Sequence, residues 1–237
     1  MQTNTAFEQE YQERGFSSQR RYPNEALIQF LARHYFRVPR ADRKSIRVLE
    51  LGCGSGANLW MIAKEGYDAY GIDHAPTGVA LCREMLAFWG VSAQLAVQDL
   101  RKLEFSDGFF DAVVDVVSMQ HVDLDGHAAA YREALRVLKP GGRFFQWHLS
   151  DQSISFRESG GAMIDACTVD NIANKNVPLH DNGLTCFLNP ETARRLLTGA
   201  GFVDVAMEIT TRTYREQTQQ VSYLSIEALK NNTVALR

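Results

Sequence analysis

At 237 residues, 45% hydrophobic and 22% charged, the chain has the size of one domain, or one domain carrying a substantial insertion, with enough apolar residues for a full core. A formal net charge of −3 argues against nucleic-acid binding through bulk positive charge. The longest apolar stretch, 112–119, is interrupted by Asp115 and falls far short of the roughly 20 residues a membrane span needs.

In chain order, the first residues lack the basic and apolar segments of a signal peptide, so a cytoplasmic protein is expected. Residues 1–43 read as a helical cap rich in aromatics, among them Phe7, Tyr11, Phe16, Tyr22, Phe30, Tyr35 and Phe36. Pro23 stands near the start of a helix running through Asn24 to Leu31. The domain proper, from residue 44, then alternates strand patterns (46–51, 69–72, 93–97, 112–117, 143–148) with helical ones (56–64, 76–89, 127–138). Such alternation predicts a doubly wound α/β fold with a parallel sheet and right-handed crossovers. Residues 149–188 are polar, interrupted by glycine and without period, which fits an inserted lid or binding loop. A helix opening at Asn189-Pro190-Glu191 ends at Gly199-Ala200-Gly201, and two strands, 202–209 and 221–229, close the chain. Cys53, Cys82, Cys167 and Cys186 lack disulfide or metal spacing and are expected as free thiols.

The first strand runs into Glu50-Leu51-Gly52-Cys53-Gly54-Ser55-Gly56, which opens the first crossover helix with Asn58 in its first turn. Gly52 permits a tight turn, and Gly54 lets backbone approach a ligand closely. The pattern Gly52, Gly54, Ala57, with Asp73 about 20 residues on, also satisfies a loose dinucleotide fingerprint, so an NAD(P)-dependent oxidoreductase is a competing reading.

Four further motifs separate the two. The second strand ends in Gly71-Ile72-Asp73-His74 and the third in Val97-Gln98-Asp99-Leu100. Phe110-Asp111-Ala112-Val113-Val114 leads into the fourth, and Arg136 to Phe144, containing Lys139-Pro140-Gly141-Gly142, enters the fifth. Over residues 46–148 this order resembles the class I S-adenosylmethionine-dependent methyltransferases of small-molecule type. The resemblance implies a Rossmann-like seven-stranded sheet, mostly parallel with an antiparallel last strand. It also implies S-adenosyl-L-methionine as cofactor and S-adenosyl-L-homocysteine as product. Glu50 then matches the acid near the methionine amine, Asp73 the ribose ligand, and Asp99 with Leu100 the adenine contacts. Gly52, Cys53, Gly54, Asn58, His74, Val116 and His121 complete the expected cofactor wall, with Arg21 and Tyr22 reaching in from the cap, where Arg20 is a third candidate.

Methyl transfer is an in-line displacement on an activated donor, and a base is needed only where the acceptor must lose a proton early. His121 is the first candidate, His148 the second and His180 the third, with Asp115 a polar residue in an apolar strand. Trp60 and Trp147 are candidates for the acceptor wall. The expected acceptor is a small molecule (a sugar, polyketide or other metabolite) methylated on oxygen or nitrogen. An Asn-Pro-Pro-Tyr-type motif is absent at strand four, which with the acidic balance speaks against DNA. No metal ligand set is apparent, and a monomer or homodimer is expected. A cofactor-binding partner protein without catalysis is the alternative from another functional class.

Overall fold

The computed structural model describes residues 3–232, with only the backbone described for residues 3–6 and 18. Helix α1 (Thr3–Arg14) and α2 (Glu25–Tyr35) precede a seven-stranded sheet. Its strands are β1 (Arg47–Leu51), β2 (Asp68–Asp73), β3 (Gln94–Val97), β4 (Phe110–Val116), β5 (Leu138–Leu149), β8 (Phe202–Tyr214) and β9 (Gln219–Lys230). They lie in the order β3-β2-β1-β4-β5-β9-β8, with β9 antiparallel to both of its neighbours and the other contiguous pairs parallel. Helices α3 (Leu59–Lys64), α4 (Pro76–Phe88), α5 (Leu124–Val137) and α7 (Pro190–Ala200) connect the strands.

The sheet is covered on both faces because its strands alternate two apolar sets. Leu49, Leu51, Val113 and Phe144 pack with Tyr131 and Ala134 of α5 and Leu197 of α7. Val48, Val114 and Phe145 pack instead with Leu27, Phe30 and Leu31 of α2, Ile62 of α3 and Leu86 of α4. Asn24 caps α2 by accepting from the Ala26 and Leu27 amides, and its own N–H donates to Asn58. Phe30 stacks on Phe145 at 5.0 Å, seating α2 on β5.

The stretch expected to be loop-rich, 149–188, contains a helical turn α6 (Ile154–Arg157) and a two-stranded sheet. That sheet pairs β6 (Thr168–Val169) antiparallel with β7 (Thr185–Cys186). Ile172, Val177 and Phe187 from this stretch share a small core with Leu149 and Val221. Strands of two residues give no period that a sequence reading can detect. Helix α3 begins at Leu59, three residues later than expected, because the chain from Gly52 to Ala57 is a turn. Among the described residues, no helix is long and apolar enough to cross a membrane.

Candidate cofactor site

At the carboxyl end of β1 the backbone turns through Gly52 (φ +62°) and Gly54 (φ +49°), a region that side chains with a Cβ rarely enter. A Cβ at position 52 would overlap the Ser118 hydroxyl, and one at position 54 would sit 2.7 Å from the Tyr11 hydroxyl. The Cys53 amide donates to the Ile72 carbonyl at 2.8 Å and ties this turn to β2. The turn floors a cavity of about 270 Å3 at the carboxyl ends of β1 to β4, where ligands bind in open α/β sheets.

Three carboxylates line it, each held differently. Glu50 Oε1 accepts from Asn58 Nδ2 at 2.6 Å, while Oε2 is buried without a partner. Burial pushes the Glu50 carboxyl up to about 8, opposed by the Asn58 hydrogen bond and the Arg20 charge. Asp73 accepts from the Gly54 amide at 2.8 Å and the Ala75 amide at 2.9 Å, one on each oxygen, so each oxygen keeps capacity for a further donor. Burial raises its pKa, against those two amides and nearby His74, whose Nδ1 lies 3.7 Å from Oδ1. Asp99 is bound by Arg101 through its amide and guanidinium, with Nη2 at 2.6 Å from Oδ2. Those hydrogen bonds hold its carboxyl below the usual range.

The far wall follows β4. Val117 adopts φ +59°, a genuine outlier for a β-branched residue, and its amide donates to the Trp147 carbonyl at 2.9 Å. His121 Nδ1 lies 3.1 Å from the Leu184 carbonyl, so this nitrogen carries the hydrogen. Its Nε2 then accepts from Gln120 Nε2 at 3.1 Å, which fixes the amide orientation and leaves Gln120 Oε1 buried and unpartnered. Desolvation lowers His121 to about 4, so the ring is neutral. Helix α1 closes the top: Phe7 packs edge-on against His121 at 4.5 Å, and Tyr11 covers the glycine turn. Glu8 anchors α1 by accepting from the Thr77 amide at 3.0 Å and the Thr77 hydroxyl at 2.5 Å.

Residues 48–142 match a family model described as "Methyltransferase domain". A SAM-dependent methyltransferase from Methanosarcina mazei superposes with a TM-score of 0.64 at 20% identity, covering 79% of this chain and 93% of that one. The chain shares the fold of that methyltransferase, and the family model covers its residues 48–142. Sterol 24-C-methyltransferase erg-4 of Neurospora crassa is 33% identical over 138 residues, 54% of this chain and 35% of that protein. 2-Methyl-6-phytyl-1,4-hydroquinone methyltransferase of Synechocystis is 38% identical over 96 residues, 40% of this chain and 29% of that protein. The chain spans about a third of the length of these curated relatives.

The cavity fits S-adenosylmethionine by its unmet hydrogen-bonding demand. Among the described residues four buried side-chain polar atoms lack a partner, and three, Glu50 Oε2, His74 Nε2 and Gln120 Oε1, belong to cavity-lining residues. Two of these are acceptors, as are the Asp73 oxygens, and the cofactor offers an ammonium, two ribose hydroxyls and an adenine amine as donors. Buried acceptors without donors are costly, so their concentration in one cavity marks a ligand site.

Of the residues expected at the cofactor, Glu50, Gly52, Cys53, Gly54, Asn58, Asp73, His74, Asp99, Leu100, Val116 and His121 all line the cavity. The Cys53 thiol, raised by hydrogen bonding to Cys82 and by burial, lines it as a neutral group. Arg21 and Tyr22 are not among the lining residues; the extended chain there turns Arg20 inward, while Tyr22 is 67% exposed in a separate groove with Phe88 and Trp89. Asp115 lies on the α5 face, accepting from the Ser118 and Met119 amides and from Gln146, and does not reach the cavity. Strand alternation already pairs it with Val113 rather than with Val114, the partner of Glu50. His148 is fully buried against His127 and is likewise absent from the wall. Neither His180 nor the two tryptophans line it: Trp60 stacks on Trp89 at 4.0 Å and Trp147 on Tyr223 at 5.1 Å. Phe7, Tyr11 and Gln98 also line it, Phe7 and Tyr11 at positions that no sequence motif marks. The four-residue spacing of Phe7 and Tyr11, which puts both on one helix face, is the only trace of that role in the sequence.

Proposed function

We propose that the protein transfers the methyl group of S-adenosylmethionine to a small-molecule acceptor, on oxygen or nitrogen. The observation that carries this reading is the set of unpartnered buried atoms and carboxylates converging on one cavity at the strand ends. When bound, the cofactor supplies a methyl group already activated on a sulfonium sulfur. Glu50 would hold its ammonium, Asp73 its ribose hydroxyls, Asp99 and the Leu100 amide its adenine edge, and Arg20 its carboxylate. A cation beside Glu50 Oε2 returns that carboxyl to its ionised form, because charge pairing offsets the desolvation that raises it.

The acceptor end is formed by Phe7, Gln120, His121 and Val122. His121 is neutral, with both nitrogens engaged, which supports a role in orienting Gln120 rather than in taking a proton. Positioning in a dry pocket then supplies most of the acceleration. A carbon acceptor is the second reading, favoured by relatives named as sterol C-methyltransferases at 31% and 33% identity.

Calorimetry with S-adenosylmethionine and S-adenosylhomocysteine, followed by an acceptor screen reporting homocysteine-product release, tests the reading. Binding of both and turnover with at least one acceptor are expected. Absence of binding by either would sink it, whereas binding with no turnover on oxygen, nitrogen or carbon acceptors points to a non-catalytic partner protein.

A further inference from the structure

On the α5 face of the sheet, His127 of α5, His148 of β5 and Cys186 of β7 bring two ring nitrogens and a sulfur within 4.8 Å of one another, all three residues fully buried. The hydrogen bonds of the two rings fix their protonation. His127 Nδ1 lies 2.8 Å from the Asp123 carbonyl, and His148 Nδ1 lies 2.8 Å from the Leu149 carbonyl. A carbonyl only accepts, so both Nδ1 atoms carry hydrogen. Two neutral rings then aim their Nε2 lone pairs at each other across 3.0 Å. That arrangement is repulsive. Moving a hydrogen to one Nε2 would leave its Nδ1 lone pair facing a carbonyl, and adding a proton would bury an unpaired charge.

A metal cation resolves the conflict. We propose that His127, His148 and Cys186 form a buried three-ligand structural site for a thiophilic d10 cation, Zn2+ or Cu+. Nitrogens bound to zinc at about 2.0–2.1 Å in tetrahedral geometry stand roughly 3.3 Å apart, close to the spacing here. Donation of the second ring N–H to a backbone carbonyl is also the usual support of a metal-ligating histidine. Binding forms two metal–nitrogen bonds and one metal–sulfur bond, and releases the Cys186 thiol proton to solvent. With one thiolate the site is neutral around Cu+, while Zn2+ takes a fourth ligand. The bound ion pins β7, and with it the 149–188 insertion, to β5 and α5. Leu184, one residue before β7, accepts from His121, so the ion also braces the acceptor end of the cavity.

The test is the metal content of the full chain, expressed with added zinc or with added copper and purified without chelator. About one ion per chain is expected with one of the two metals, and the supplement that gives it identifies the ion. Cd2+ titration of protein refolded in chelator should produce a thiolate-to-metal charge-transfer absorption. Both signals should be lost in Cys186→Ser and His148→Gln and kept in Cys167→Ser. If the ligand variants do not fold, the wild-type chain decides: refolding with metal should raise its Tm above that of chelator-refolded protein. No stoichiometric metal, no charge-transfer band and no Tm difference would overturn the proposal. Cofactor binding is read separately by calorimetry, so either reading can fail without the other.

Discussion

Asp73 holds two backbone amides and, in the proposed function, two ribose hydroxyls, so an uncharged replacement separates the two tasks. Asp73→Asn keeps one carbonyl oxygen and loses the charge. It is expected to weaken S-adenosylhomocysteine binding by about 10- to 150-fold in calorimetry, the equivalent of about 1.5–3 kcal/mol for charge-assisted hydrogen bonds. Glu50 makes a prediction for stability. Burial lifts its carboxyl from 4.5 to about 8, so the folded state holds the proton more tightly than the unfolded state. Its contribution is therefore most favourable below pH 4.5 and is lost as pH rises toward about 8. Glu50→Gln should flatten that fall in Tm measured on unliganded protein across this window, while weakening cofactor binding. Asp115, raised to about 7 by burial, adds a slope of the same sign that the variant leaves in place.

Among the elements, α1 depends on docking to stay where it is. Twelve residues make a marginal helix alone, and among its described side chains Phe7 and Tyr11 make apolar contacts. It is docked by Glu8 on the first turn of α4, where a carboxylate meets unpaired amides, and by Tyr11 against Gly78 and Gly54. We propose that α1 acts as the lid of the acceptor end. Phe7→Ala should then raise the acceptor KM several-fold with a smaller change in kcat, because it removes a wall and leaves the carboxylates intact. An equal fall in kcat and kcat/KM, with KM unchanged, would argue against the lid. The 149–188 insertion differs: its satellite core depends on residues distant in sequence, such as Val221 and Tyr223. Order of that kind leaves no local pattern, which explains why the stretch reads as loop.

At the scale of the whole molecule, a ligand that binds only the folded state stabilises it by mass action. S-adenosylhomocysteine at about 100 times its Kd should add about 2.7 kcal/mol and raise Tm by roughly 5–11 °C in a thermal shift assay. Asp73→Asn should remove about half to nine-tenths of that shift at the same ligand concentration. What the sequence determined by itself is the order of strands and helices, the glycine turn, and the placing of Glu50, Asp73 and Asp99 at strand ends. Each of these is local: a period of two, a backbone angle open to glycine, a position one step from a turn. Tertiary structure alone decided which neighbour of an extended segment faces inward, so that Arg20 lines the cavity while Arg21 and Tyr22 do not. It also decided the strained Val117, the cover of Phe7 and Tyr11, and the meeting of His148 with His127. The physical reason is that a side chain's partners across the fold are set by pairing register and packing, which bring together residues that no sequence spacing relates.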